Sequence, residues 1–480
     1  MLKKRTIATM IVIVVNMLFL SCPAMGHPLD ITRIVTEMAE TKSQNRLQIL
    51  TWRMEIIKNE FSLTRDQAIE ELRKALPNKD EKALIALLDD SAVVFIELDG
   101  EKRYFESVAR NILFRNTTLM REKLQKDAPF VDALEPLVFA SSEKTPKKFI
   151  DTPYTEPLQY KGNLTIDIEK THLPQLGIVD IWVPVPILTD SQKIAEITSV
   201  YPEKFSSEIN TEKDIGFIHF AIPMEEIQEV LKISVDFNFT HYQQHFDVNA
   251  EKILPYNKET NLYKQYTRSL RNTFISDSIA QKAREIVGSE KNPYLQAQKI
   301  YNYIIENIPY SFVPHGTLQI LGIPESKYIH EQRHGDCGTQ SIYFSALCRS
   351  LGIPARTTGG YQAIPGHEGT HFWAEFYIEG YGWIPVDTTV ADTADWTGIL
   401  SEEKRQHFKK FFFGNLDAYR FVIQKDVDLP VYPEPKERIF SDTFPLLVLQ
   451  TPLIAGQGMK ENPIRLAEES FSIKYYPVKK

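Results

Sequence analysis

Nine residues, "LKISVDFNF" at 231–239, alternate between apolar and polar: Leu231, Ile233, Val235, Phe237 and Phe239 share one face, and Lys232, Ser234, Asp236 and Asn238 share the other. A period of two fits a strand with one buried face and fits no helix. The same alternation runs through "NLTIDIE" at 163–169 and "VDIWVPVP" at 179–186. Residues 158–255 are therefore expected to form a β-sandwich-like domain or an open antiparallel sheet.

On both sides of this stretch the period changes to that of a helix. Upstream, "TRDQAIEELRKALP" sets Thr64 and Gln67 at capping-box spacing, puts Ile69, Leu72 and Leu76 on one face and stops at Pro77. "VVFIELDGEKRYFESV" then reads as a hairpin turning at Asp99-Gly100. Downstream, Ile279, Ala283, Ile286 and Val287, then Ala297, Ile300, Ile304 and Ile308, mark two further helices. With 480 residues the chain exceeds what one core can bury. The expected fold class is α+β: a mainly helical N-terminal region at 27–139, a polar, proline-bearing linker at 140–157, the β-domain at 158–255, a mixed core at 256–400, and a C-terminal extension at 401–480 packed on that core.

The first 26 residues carry Lys3, Lys4 and Arg5, an apolar run from Ile7 to Leu20, and small residues at Ala24 and Gly26. This is the pattern of a secretory signal cleaved after Gly26, and the run is short and broken by Asn16 for a membrane span. An exported protein, periplasmic or extracellular, with no stable membrane insertion after signal removal is expected; lipid anchoring at Cys22 is the second reading. Beyond the signal, 52 basic residues face 63 acidic ones, a net charge of −11. An acidic chain without a basic tract gives no reason to expect a nucleic-acid partner. Three cysteines do not make a disulfide scaffold. Cys337 and Cys348, if on one helix, would stand about 16 Å apart, beyond disulfide reach.

Those two thiols lie in "RHGDCGTQSIYFSALCRSLGIPAR" at 333–356. Gly335-Asp336 ends a loop, a helix begins at Cys337 with Ile342, Leu347 and Leu351 on its buried side, and Gly352-Ile353-Pro354 ends it. A thiol at a helix N-terminus meets the positive end of the dipole, which favours thiolate. Cys348, among Phe344, Leu347 and Leu351, reads as a small core residue. A thiol nucleophile needs a proton acceptor and a group to orient it. "GTHFWAEFYIEGYGWIPVDTT" offers His371 at the start of one strand and Asp387 at the end of the next. A symmetric hairpin joining them would centre on Glu379, before the glycines at 380 and 382, so a bulge is expected. His367 and His371 stand four apart but in a loop-to-strand passage, which is poor geometry for a metal pair. His334 reads as an exposed loop residue. Trp373 and Trp383 read as packing, and Gln332 is a candidate oxyanion donor beside the Cys337 N–H.

The spaced elements Gly335-Asp336-Cys337, "SLGIPAR" at 350–356, "GY" at 360–361, "HFWAEFY" from 371 and "GWIPVDTT" from 382 resemble the transglutaminase-like superfamily of papain-fold thiol enzymes. The resemblance covers about 265–400. "FFGNLDAYRFV" at 412–422 looks like the tail that follows bacterial members, and "WVPVP" at 182–186 looks like the β-domain that precedes their core. It implies Cys337 as nucleophile, His371 as general base and acid, and Asp387 as the group orienting the imidazole. No calcium loop is visible, and no cofactor or metal is expected. The implied substrate is a peptide or protein carrying an amide bond, cleaved through an acyl-thioester with hydrolysis favoured. Amine-transferring transglutamination and a non-catalytic binding protein on the same fold are the alternatives.

Overall fold

The computed structural model describes residues 28–124, 129–143, 152–207, 211, 213–434, 447–456 and 471–478. The signal segment with Cys22, and residues 144–151 of the expected linker, lie outside them. The fold is α+β. Helices α1 (Thr32–Glu40), α2 (Gln44–Glu60), α3 (Arg65–Ala75), α4 (Glu81–Leu88), α5 (Val108–Arg115) and α6 (Thr117–Leu124) share two cores with a hairpin of β1 (Phe95–Leu98) and β2 (Glu101–Tyr104), whereas α7 (Pro129–Glu143) packs into the central core through Val131, Leu134 and Val138. Thr64 and Gln67 form the reciprocal capping box at the start of α3, and Asp99 and Gly100 make the β1–β2 turn.

The period-two segments form two antiparallel sheets. In the larger, β7 (Val230–His245) lies between β3 (Tyr154–Glu169) and β11 (Asn415–Leu416), β5 (Gln192–Tyr201) also pairs with β7, and β14 (Phe471–Pro477) closes the β3 edge. The smaller runs β13 (Leu453–Gly456), β4 (Ile178–Pro184), β6 (Phe217–Pro223). Leu231, Ile233, Val235, Phe237 and Phe239 all turn into one core shared with Val179, Ile181, Ile218 and Phe220 of the smaller sheet. The C-terminal extension does more than pack on the core, because it supplies strands to both of these sheets.

The central unit pairs β10 (Gly382–Val386), β9 (Gly369–Ile378), β8 (Ala355–Gln362) and β12 (Arg420–Gln424), all antiparallel. Around it lie α8 (Asn261–Tyr266), α9 (Asp277–Val287), α10 (Pro293–Asn307), α11 (His315–Leu321), α12 (Glu325–Gln332), α13 (Cys337–Ser350), α14 (Thr388–Trp396) and α15 (Glu402–Phe411). Helix α13 has twelve of its fourteen residues buried, so it is a central helix and its polar groups need partners. Arg349 donates to Asp426 at 2.6 Å and to the Ala355 carbonyl at 2.8 Å, Ser345 pairs with Thr357 at 3.0 Å, and Gln340 donates to the Ile308 carbonyl at 3.1 Å. Phe421 and Ile423 of β12 reach the sandwich core, which fastens the central sheet to the β-domain.

The hairpin of β9 and β10 differs from the expected register. Gly382 pairs with Ile378 and Val386 with Ala374, so it centres on Gly380 and has no bulge. Gly380 and Gly382 both adopt positive φ, which lets a short turn close without an inserted residue. Asp387 falls one step past the strand and becomes the N-cap of α14, where its side chain accepts the Val390 N–H.

Candidate active site

The Gly-Asp-Cys sequence is explained by its contacts. A Cβ on Gly335 would stand 2.2 Å from Thr339 Oγ1 and 2.8 Å from Ile329 Cδ1, so only glycine fits. Asp336 caps α13, accepting the Thr339 N–H at 2.9 Å and its hydroxyl at 3.1 Å. Cys337 is then the first residue of the helix, half-buried, against Phe372, Ile342, Val427 and Leu447. Alongside, the Ser311 N–H donates to the Gly335 carbonyl at 3.0 Å, and the half-buried Tyr310 lies near the thiol.

His371 lies on β9, 5% exposed, and its Nε2 meets Asp387 Oδ2 at 2.8 Å. A carboxylate only accepts, so Nε2 carries the hydrogen and Nδ1 is left with its lone pair. The next residue, Phe372, directs its backbone N–H at the Cys337 sulfur, which places the thiol beside the start of β9. Asp387 is fully enclosed. Burial works against its charge, but His371 and Arg420 together hold the carboxyl well below its usual range.

The thiol does not follow the helix-dipole expectation. Burial pushes Cys337 up, the Asp336 carboxylate adds to this, and the Phe372 and Gly338 N–H groups only partly oppose it. A helix terminus contributes up to about 2 kcal/mol, which here does not offset the burial of the sulfur. Cys348 is fully buried in the main core, and burial raises its thiol too.

His334 is not an exposed loop residue: it is 2% exposed, its Nδ1 bonds Ser311 Oγ at 2.6 Å, and burial lowers it to about 3. Trp373 is fully buried and Trp383 nearly so, with the Arg356 guanidinium 4.0 Å above the Trp383 ring. His367 stacks on Phe130, at 4.0 Å between centroids. Gln332 ends α12 and is buried.

Two groups were not singled out from the sequence. Arg420, on β12, donates Nη1 to Asp387 Oδ2 at 2.7 Å. His315 bridges Asp336 at 2.6 Å and Glu325 at 3.0 Å. Burial opposes its charge, but the two carboxylates override it and raise His315 well above its ordinary value. Arg420 lay inside the quoted "FFGNLDAYRFV" stretch, whose Asp417 and Arg420 stand three apart; His315 had no comparable signal.

The sequence profile of the transglutaminase-like superfamily matches residues 280–388. An uncharacterised protein of Haemophilus influenzae is 24% identical over 307 residues, covering 54% of this chain and 77% of that one. Among solved structures, a candidate cysteine protease from Cytophaga hutchinsonii is 17% identical with a TM-score of 0.43, covering 68% of this chain and 92% of the other. The periplasmic domain of TgpA from Pseudomonas aeruginosa is 13% identical with a TM-score of 0.25, covering 53% and 92%. The stretch from α9 to the first residue of α14, with Cys337, His371 and Asp387 inside it, is a transglutaminase-like core.

Proposed function

We propose that the protein is an exported cysteine-dependent acyl-transfer enzyme that cleaves a peptide or carboxamide bond, with water as the favoured acceptor. The observation that carries this reading is the His371–Asp387 hydrogen bond, which leaves Nδ1 as acceptor one residue from the Phe372 N–H that reaches the Cys337 sulfur. A transglutaminase-like core belongs to a family of cysteine-dependent enzymes, which supports the assignment of Cys337 as nucleophile.

The resting nucleophile is a neutral thiol, so proton removal accompanies attack. His371 Nδ1 takes the Cys337 proton as sulfur bonds to the carbonyl carbon, and Asp387 stabilises the imidazolium. The Cys337 N–H at the helix terminus faces the developing oxyanion. The imidazolium then protonates the departing amine as the C–N bond breaks, leaving an acyl-thioester. Water, deprotonated by His371, attacks the thioester; the acid leaves and the thiol is restored. Amine transfer would need a site that excludes water during this second half.

The test is turnover by the full chain and by Cys337→Ala against a library of peptides and glutamine carboxamides, with and without an added primary amine. Release of free acid by the wild type and none by Cys337→Ala is expected. Amine incorporation without free acid overturns the hydrolase assignment, turnover by Cys337→Ala overturns the assignment of Cys337 as nucleophile, and no turnover by the folded wild type overturns the enzyme assignment.

A further inference from the structure

Asp387 Oδ2 accepts two hydrogen bonds, one from His371 Nε2 at 2.8 Å and one from Arg420 Nη1 at 2.7 Å. Its Oδ1 is engaged separately by the Val390 N–H at 3.0 Å and the Thr389 hydroxyl at 3.3 Å. Arg420 in turn gives Nη2 to Asp417 Oδ2 at 2.5 Å, while its Nε lies 3.2 Å from both Asp417 oxygens. The side chains of Arg420, Asp387 and Asp417 have no exposure at all. Asp417, Arg420, Asp387 and His371 thus form a buried row in which the charged groups alternate in sign.

The row poses a physical problem and answers it. A guanidinium on the same carboxylate oxygen as His371 fixes that carboxylate, because its planar fork holds direction as well as charge. It also cancels the charge that would stabilise an imidazolium. A second carboxylate on the far side of the guanidinium removes that conflict. With Asp417 in place the row carries one negative charge when His371 is neutral and none when His371 is protonated.

Among the described residues, burial disfavours the charged form of the titratable groups packed around the row. His241 on β7, beside Arg420, is held neutral by burial, which lowers it to about 3. Tyr301 on α10 is a neutral phenol donating to the Lys409 carbonyl at 2.6 Å, and Tyr160 on β3 is a neutral phenol against the Ala418 carbonyl. Burial raises the Asp392 carboxyl of α14 well above its ordinary value, and the nearby Lys409 is paired to Asp395 at 2.6 Å. Cys337 of α13 rests as a neutral thiol. The backbone around the row is built to hold it: a Cβ on Gly360 would lie 1.9 Å from the Phe421 carbonyl, so β12 can approach β8 closely only at glycine.

We propose that Arg420 and Asp417 are positioning residues: Arg420 aims the Asp387 carboxylate at His371 Nε2, and Asp417 neutralises Arg420 so that Asp387 remains an effective counter-ion for the imidazolium. The proposal rests on the assignment of His371 as general base and acid. Its signature is a pair of opposite shifts. Asp417→Asn leaves the guanidinium uncompensated, disfavours the imidazolium and lowers the His371 titration midpoint. Arg420→Met leaves two carboxylates, favours the imidazolium and raises it. The Arg420→Met shift should be about two pH units, the scale of a unit charge on the same carboxylate oxygen at an effective dielectric of about 20, and the Asp417→Asn shift about one, since Asp417 lies on the far side of the guanidinium. Arg420→Lys keeps the charge and loses the fork, so the midpoint stays while kcat falls roughly tenfold with KM unchanged.

The midpoint is read by NMR of histidine-labelled full-length protein carrying Cys337→Ala, which needs no turnover; the acid limb of kcat/KM is read in the Cys337 protein. Melting curves establish that each variant folds. If Arg420→Met does not fold, Asp417→Asn against Arg420→Lys still decides, since only the first should move the midpoint. An unmoved midpoint in folded Asp417→Asn, or a shift of the same sign in Asp417→Asn and Arg420→Met, overturns the proposal. Turnover by Cys337→Ala would overturn the assignment of Cys337 as nucleophile instead and would leave the NMR result readable.

Discussion

At the scale of single residues, two cysteines eleven positions apart on one helix have different fates because one end of α13 opens beside β9 and the middle does not. Cys337 is half-buried and Cys348 fully buried. Burial raises both thiols, so below that raised value the Cys337 thiolate fraction grows about tenfold for each pH unit. Iodoacetamide labelling of the native protein, followed peptide by peptide in a mass spectrometer, should therefore accelerate steadily at Cys337 from pH 6 to 9. Cys348 should label only after denaturation. A labelling rate already level below pH 7 would mean that the helix terminus and the imidazole outweigh burial. The identities of Cys337, His371 and Asp387 were legible because each sits in a stretch with its own local pattern. The elevated thiol was not, since enclosure by Val427 and Leu447 comes from chain far away in the sequence. Arg420 was hidden for the same reason: an ion pair spanning 33 residues leaves no periodic trace.

At the scale of elements, the helix starts were the most legible features, because capping is chemistry between neighbours. Thr64 and Gln67 form at the start of α3 the capping box that their spacing suggests. Strand register was less so: the alternation put His371 and Asp387 near one another, but turn geometry decided that the hairpin centres on Gly380. The same substitution at two helix positions tests the helix bounds. Asp277 is the exposed first residue of α9, behind a Ser276 with extended backbone, where proline costs little. Asp277→Pro should lower stability by no more than about 1 kcal/mol, from the lost acidic residue at the dipole. Ala346 is fully buried inside α13. Ala346→Pro should cost about 3 kcal/mol or more and unfold the central unit. Circular-dichroism melts compare the two, and equal losses would contradict the bounds of α13.

At the scale of the whole molecule, the N-terminal helices and the central unit share buried contacts that the sequence, read segment by segment, does not disclose. Val313, Leu318, Ile320 and Tyr328 complete a core with Leu50, Ile57 and Phe61. Two side chains seal that contact through backbone groups. Glu60, the last residue of α2, accepts the Gly316 N–H at 2.9 Å and the Thr317 N–H at 2.7 Å, groups that have no partner within α11 itself. Asn111 of α5 takes the Phe312 N–H at 2.7 Å and donates to the Phe312 carbonyl at 2.9 Å, as a neighbouring strand would. These bonds join the helical region to the segment that runs past Tyr310 and Gly335 into Cys337, so the stability of that segment is shared across the molecule. Removing either partner leaves buried backbone donors unsatisfied, at about 1–3 kcal/mol. Hydrogen exchange reads this directly. In Glu60→Ala and Asn111→Ala, amides of a peptide covering 310–320 should exchange roughly 5- to 100-fold faster, because a local opening that releases those donors becomes easier by that energy. Peptides from the middle of α13, which contact neither side chain, should keep their wild-type rates. Unchanged exchange at 310–320 in both variants would mean that apolar packing alone, through Val313 and Leu318, holds the helical region against the central unit.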